Sequence, residues 1–289
     1  MPIINKMYKL ISFLLILTAI YGLFSFFRPI STTMTNPTVM STATPAVTPE
    51  VASKATPKKQ SDVCPSPSSI LHLKNWKLTL PSGAPEKPTE IKQPALSTYS
   101  DEQYFATAPD CKSVLFRAEV GGITTKGSSY PRSELREMSY DGTANSDWST
   151  FSGTHTMFID EAITAVPFKK RHVVAGQIHD ADDDVIFIRL EYPKLFISIN
   201  GKEGPTLDAN YELGRRFTIK YVVAHDEISV YYNQNSQAAF SFHRSGTGFY
   251  FKAGAYAQSN CEKEDICSAD NYAEVRIYKL DVGHISDST

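Results

Sequence analysis

The chain is short of the features that would make it helical, repetitive or strongly charged. Beyond residue 62 no long stretch holds a helical period of apolar residues, so a helix bundle is excluded. No motif recurs at a fixed spacing, which argues against a propeller or a β-helix. Charge is nearly balanced, with 29 Lys and Arg against 31 Asp and Glu and a pI of about 6.4. There is thus no global field for nucleic acid or a polyanion, and any anion site must be local. Cysteine is scarce: Cys64, Cys111, Cys261 and Cys267 are the only four. Neither Cys64 and Cys111 nor Cys261 and Cys267 has Cys-x-x-Cys spacing and no His lies beside them, which weakens a structural metal site.

What is present divides the chain in three. From Leu10 to Phe27 there is no charge, with Lys6 and Lys9 before the run and Arg28 after it. A basic segment followed by an apolar run is the layout of an export signal, here long enough for a retained membrane anchor as well. Residues 1–30 are therefore expected to be an export signal or anchor, and the protein to be secreted or held at the cell envelope. Residues 31–62 are rich in Ser, Thr, Pro, Ala and Val and lack aromatics. They bury too little apolar surface to offset ordering entropy and are expected to form a disordered linker. The folded domain is expected over 63–289. All four cysteines fall within it, and an even count in an exported domain suggests two disulfides. Three pairings are possible; the short acidic loop between Cys261 and Cys267 favours that pair, leaving Cys64 with Cys111.

Within the domain, short runs rich in β-branched and aromatic residues alternate with Gly, Asn, Asp and Pro. They are Ser113–Val120, Ser133–Ser139, Thr154–Ile159, His172–His179, Val185–Glu191, Leu195–Ile199, Phe217–Ala224, Ile228–Tyr232, Ala238–His243, Phe249–Gln258 and Tyr272–Leu280. This pattern predicts an all-β domain of about a dozen strands, hence a sandwich, jelly roll or barrel. Pro81-Ser82-Gly83 is read as a turn ending the stretch from Leu71, and Asn200-Gly201 as another. Asp182-Asp183-Asp184 is read as a solvated loop, with a calcium-type site as the lesser alternative.

Three of these runs carry a polar face. In the strand ending at Gln258, alternation puts Tyr250, Lys252, Gly254, Tyr256 and Gln258 on one side and Phe251, Ala253, Ala255 and Ala257 on the other. Gly254 is expected to leave a gap where a ligand approaches the backbone. In Tyr130–Met138, Arg132, Glu134 and Arg136 share one face, and Ser133, Leu135 and Glu137 the other. In His172–His179, Gln177 and His179 are expected to share a face with Ala175 and Val173.

Arg132-Ser133-Glu134-Leu135-Arg136, Gln177-Ile178-His179 and Tyr250-Phe251-Lys252-Ala253-Gly254-Ala255-Tyr256-Ala257-Gln258 resemble, in that order, the three signature blocks of the family 7 polysaccharide lyases, the alginate lyases. The third block departs from the commoner form at Ala257, where Asn is frequent. The resemblance implies a jelly-roll β-sandwich with a concave substrate-binding sheet. It also implies a catalytic set of Arg132, Gln177, His179 and Tyr256, with Glu134, Arg136, Lys252, Gln258 and Tyr250 binding substrate. The Gln-Ile-His form of the second block is similar to members acting on guluronate-containing stretches.

Such an enzyme removes the C5 proton of a uronate and expels the C4 oxygen, leaving an unsaturated sugar. The adjacent carboxylate must first be offset, a task for Arg132, Gln177 and His179 as preorganised donors. Tyr256 can serve as acid; a phenol is a poor base at neutral pH unless cations such as Arg136 or Lys252 act on it. In guluronate the proton and the leaving oxygen lie on opposite sides, which suits His179 as base and Tyr256 as acid. No metal or other cofactor is expected, since Arg132 supplies the positive charge. The expected partner is alginate or a related polyuronate, bound by a monomer. Two rival readings are a glycoside hydrolase, which needs paired carboxylates where Glu134 and Glu137 point apart, and a non-catalytic carbohydrate-binding domain.

Overall fold

The computed structural model describes residues 64–287; the segments expected over 1–30 and 31–62 lie outside the described residues. In chain order the strands are β1 (Trp76–Ala84), β2 (Lys87–Ile91), β3 (Phe105–Thr107), β4 (Val114–Glu119), β5 (Arg132–Glu137), β6 (Thr154–Ala165), β7 (His172–His179), β8 (Asp184–Glu191), β9 (Lys194–Ile199), β10 (Lys202–Asp208), β11 (Phe217–Ala224), β12 (Glu227–Tyr232), β13 (Phe240–His243), β14 (Tyr250–Ala257) and β15 (Tyr272–Ile285). They form two antiparallel sheets, ordered β10-β9-β8-β7-β14-β5-β1-β2 and β13-β12-β11-β6-β15-β4-β3. This is the all-β, jelly-roll sandwich expected of the sequence. The disulfides are Cys64–Cys111 and Cys261–Cys267, the favoured pairing.

Each of the expected strands overlaps an observed one. Four observed strands were not among those expected: β1, read from the sequence only as a stretch ending in a turn, and β2, β3 and β10, which lie at sheet edges. Edge strands satisfy only one side of the ladder and tolerate proline and glycine; β2 carries Pro88, and β10 carries Gly204 and Pro205. The turn expected at Pro81-Ser82-Gly83 is instead the distal part of β1, where the register with β2 slips between Thr79 and Gly83. Asn200 and Gly201 do form a hairpin turn, with φ of 47° and 72°, the left-handed pair that a two-residue connection favours.

One apolar core fills the space between the sheets. The alternation read for β14 holds: Phe251, Ala253, Ala255 and Ala257 all belong to that core. In β7 it breaks. The register with β8 shifts between Val174 and Gly176, and Val173, Ala175 and Ile178 all lie in the core. A bulged residue reverses the phase of the strand beyond it, so Val173 and Ala175 do not share the face of Gln177 and His179 as expected.

Glu161 on β6 is fully buried in this core, and neither of its carboxylate oxygens has a hydrogen-bond partner. Burial, assisted by Asp160, pushes its carboxyl up to about 8 from the usual 4.5. Between those pH values the folded chain holds a proton that the unfolded chain releases, so stability falls as pH rises through the window. Glu161→Gln is expected to flatten this slope: thermal midpoints at pH 5 and pH 9 should lie closer together than in the parent. An undiminished gap in a thermal-melt series would show that Glu161 does not titrate in the fold.

Candidate active site

The face of the eight-stranded sheet turned away from the core carries a cavity of about 630 Å³. Strand order decides what meets there. β14 lies between β7 and β5, pairing Tyr250 with His179, Lys252 with both Gln177 and Arg136, Gly254 with Glu134, and Tyr256 with Arg132. Arg132, Arg136, His179, Tyr250, Lys252, Tyr256 and Gln258 all line the cavity. Gln177 and Glu134 lie beneath it, at 0% and 1% exposure.

Glu134 was expected to bind substrate, but its carboxylate is fully engaged inside the protein. It accepts from Lys252 Nζ at 2.5 Å, from Arg132 Nη1 at 3.2 Å and from Gln177 Nε2. Burial alone would raise its carboxyl; Lys252 and Arg132 outweigh that and hold it below the usual range. Glu134 is thus the counter-ion that organises three groove side chains. Lys252 is pulled down to about 8, first by burial and then by Arg132. With Gln177 Nε2 on a carboxylate, the amide orientation is set and its unpartnered Oε1 is the free atom.

The cation expected to act on Tyr256 is also corrected. Lys252 is committed to Glu134, and the Arg136 guanidinium lies over the Tyr250 ring, 3.8 Å from its centroid. The group over Tyr256 is Arg132, 3.8 Å from the ring centroid. A guanidinium on a phenol face favours negative charge developing in that ring.

His179 stacks on Tyr250 with ring centroids 5.3 Å apart. Its Nδ1 lies 3.4 Å from the Asp180 carbonyl oxygen. A carbonyl only accepts, so Nδ1 carries the hydrogen and Nε2 keeps a lone pair. Burial, then the Lys252 charge, lowers the imidazole to about 4. It is neutral at pH 7 and able to take a proton.

Three further expectations change with the fold. A Cβ on Gly254, whose φ is 140°, would stand 2.5 Å from the Ser133 carbonyl oxygen. The glycine admits the neighbouring strand, not a sugar. Ala257 and Ile178 both face the core, so neither the departure at Ala257 nor the Ile of the second block touches the groove. Glu137, by contrast, points away from the groove as expected, accepting from Trp148 Nε1 at 3.1 Å and Phe251 N at 2.9 Å. Among the described residues Glu90, Asp182, Asp183 and Asp184 also line the cavity. Glu134, however, is tied up by Lys252, Arg132 and Gln177 and Glu137 points the other way, so these two do not form the carboxylate pair of a hydrolase. In the acidic loop, Asp180 Oδ1 accepts from the backbone N–H groups of Asp182 and Asp183, which are exposed.

Several groove residues were not singled out from the sequence. Phe187 and Arg189 line the cavity from β8, where they alternate with the core residues Ile186, Ile188 and Leu190; that alternation was the signal available. Arg189 Nη1 donates to Gln258 Oε1 at 3.3 Å and its Nη2 pairs with Glu191 at 2.8 Å. Ser128 lies in an irregular loop without periodicity, and its Oγ is 3.1 Å from the Tyr256 hydroxyl.

Comparison with known proteins agrees with this arrangement. The family model described as alginate lyase matches residues 71–284. A solved alginate lyase from Corynebacterium sp. is 45% identical, with a TM-score of 0.74 over 77% of this chain and 100% of that one. The alginate lyase AlgAT5 of polysaccharide lyase family 7 is 52% identical, with a TM-score of 0.71 over 76% and 98%. The family 7 alginate lyase A1-II′ in complex with substrate (GGMG) is 26% identical, with a TM-score of 0.64 over 78% and 98%. The motif order, the sheet that brings the motifs together and these similarities have one explanation: the chain belongs to the alginate lyases of polysaccharide lyase family 7.

Proposed function

We propose that this alginate lyase cleaves guluronate-containing stretches with His179 as base and Tyr256 as acid. The carrying observation is that a neutral imidazole and a phenol line one cavity from different strands. Tyr256 pairs with Val174, five residues from His179 along β7. Two separate groups on adjacent strands of the groove face suit a substrate whose C5 proton and C4 oxygen lie on opposite sides. His179 Nε2 takes the C5 proton, the C5–H electrons form the C4=C5 bond, and the leaving C4 oxygen receives the Tyr256 proton. Arg132, on the cavity wall, offsets the uronate carboxylate while charge develops on it, and Gln177, beneath the cavity, holds Glu134 and through it Arg132 and Lys252 in place.

The complex of A1-II′ with GGMG supports a groove of this kind taking guluronate. We further propose export, which the uncharged run Leu10–Phe27 and the two disulfides support, and action as a monomer.

The test is the initial rise in ultraviolet absorbance of the new double bond on purified guluronate and mannuronate blocks. Guluronate blocks are expected to give the higher kcat/KM. The acid limb of kcat/KM should lie near pH 4, where His179 gains its proton, rather than near the ordinary imidazole range. A preference for mannuronate blocks, or an acid limb above pH 6, would reassign the base.

A further inference from the structure

We infer that Ser128 is a positioning residue for Tyr256: it donates its hydroxyl hydrogen to the phenolic oxygen, leaving the phenol's own proton free for the groove. The inference rests on the reading of Tyr256 as the acid.

It comes from counting hydrogens and lone pairs. A serine hydroxyl has one hydrogen to donate and two lone pairs to accept with. Two groups that can only donate reach Ser128 Oγ: the Tyr130 backbone N–H at 3.2 Å and Arg132 Nη2 at 3.2 Å. They fill both lone pairs. The single hydrogen then has two acceptors within reach, the Tyr130 carbonyl oxygen at 3.1 Å and the Tyr256 hydroxyl oxygen at 3.1 Å. An oxygen without a spare lone pair cannot accept from the phenol, so the Ser128–Tyr256 contact has one polarity. The phenol accepts, and its proton turns elsewhere.

The same count says what happens as Tyr256 gives up that proton. Negative charge grows on the phenolic oxygen, and a charged acceptor outcompetes the neutral Tyr130 carbonyl for the Ser128 hydrogen. The switch is a rotation of one hydroxyl hydrogen with no heavy atom displaced. Ser128 keeps that hydrogen throughout: the proton delivered to the leaving oxygen is the phenol's. Arg132 therefore reaches the developing phenolate twice, over the ring face at 3.8 Å and through Ser128. Charged or titratable groups near the phenol include Tyr130, with ring centroids 6.4 Å apart, Lys170, whose Nζ is 3.0 Å from the Tyr130 hydroxyl, and Lys126 and Arg189 on the cavity wall.

The experiment compares Ser128→Ala, Ser128→Thr, Tyr256→Phe and the Ser128→Ala/Tyr256→Phe double variant in the full chain, by initial rates across pH and by thermal melting. Ser128→Ala is expected to lower kcat by roughly 10- to 100-fold, the worth of a hydrogen bond to a charged group. KM should change by less than about threefold, since the bond matters in the transition state. Ser128→Thr, which keeps the hydroxyl, should recover most of the rate, and Ser128→Ala should cost nothing further in the Tyr256→Phe background. A Ser128→Ala loss that is as large in the Tyr256→Phe background as in the parent, with no rescue by Thr, would mean loop support only, overturning the inference. Parent-like rates in Ser128→Ala beside an inactive Tyr256→Phe would overturn it while leaving Tyr256 as the acid. An active Tyr256→Phe would overturn both.

Discussion

Replacing Tyr256 by phenylalanine is expected to lower kcat by roughly 10²- to 10⁴-fold, the range that a positioned acid contributes, with KM within a few-fold of the parent. The ring would remain where it is. It lies under the Arg132 guanidinium and meets Phe187 edge-on at 6.4 Å between centroids, and neither contact uses the hydroxyl. What is lost is the proton for the leaving C4 oxygen and the acceptor for Ser128. Because the hydroxyl acts on an atom whose charge changes only in the transition state, its removal should fall on kcat rather than on binding. Absorbance of the unsaturated product measures kcat, and retention of oligouronate on the variant measures binding. Turnover near the parent level would remove Tyr256 from the mechanism and transfer the acid role to another group.

Glu134→Gln is expected to have the largest effect on stability. The carboxylate is 1% exposed and faces Lys252 and Arg132. Leaving buried cations without their counter-ion costs about 3–5 kcal/mol, which for a domain of this size is a fall of roughly 6–20 °C in Tm. Activity should fall with it, because Arg132, Lys252 and Gln177 all take their positions from this carboxylate. The folded carboxyl lies below the usual range. Its stabilisation is therefore present above that range and lost as pH falls through it, and the parent and variant melting curves should converge on acidification. Adding Lys252→Met should restore part of the lost Tm without restoring activity, since one stranded cation is gone but the groove charge is not rebuilt. A Glu134→Gln variant melting within a degree or two of the parent would mean the pair is far better solvated than its burial implies.

These two residues show how the reading divides between sequence and structure. Tyr256 was legible because β14 alternates without interruption, so a polar row opposite Phe251, Ala253, Ala255 and Ala257 marks a groove face directly. Glu134 was legible as a groove-side residue held with its flanking arginines, but not as the counter-ion of Lys252 and the acceptor for Gln177. Arg132 on the same strand is local, but the other partners come from β7 and β14, some 40 and 120 residues away along the chain, and nothing local specifies their approach. The edge strands β2, β3 and β10 were invisible because half-paired strands need little apolar alternation. Ser128 was invisible because a loop has no period to read.

The sequence by itself determined the fold class, the three motif strands and the chemistry their side chains carry, and it favoured one disulfide pairing of three that the structure then showed. It did so because strand alternation and turn residues are properties of neighbours along the chain. The tertiary structure alone decided which cation faces which phenol, that Gly254 admits a strand rather than a sugar, and that Ile178 and Ala257 turn to the core. It also decided that the Ala175 bulge reverses the face of Val173. All of these depend on register between strands distant in sequence, and a slip of one residue there exchanges the two faces of a sheet.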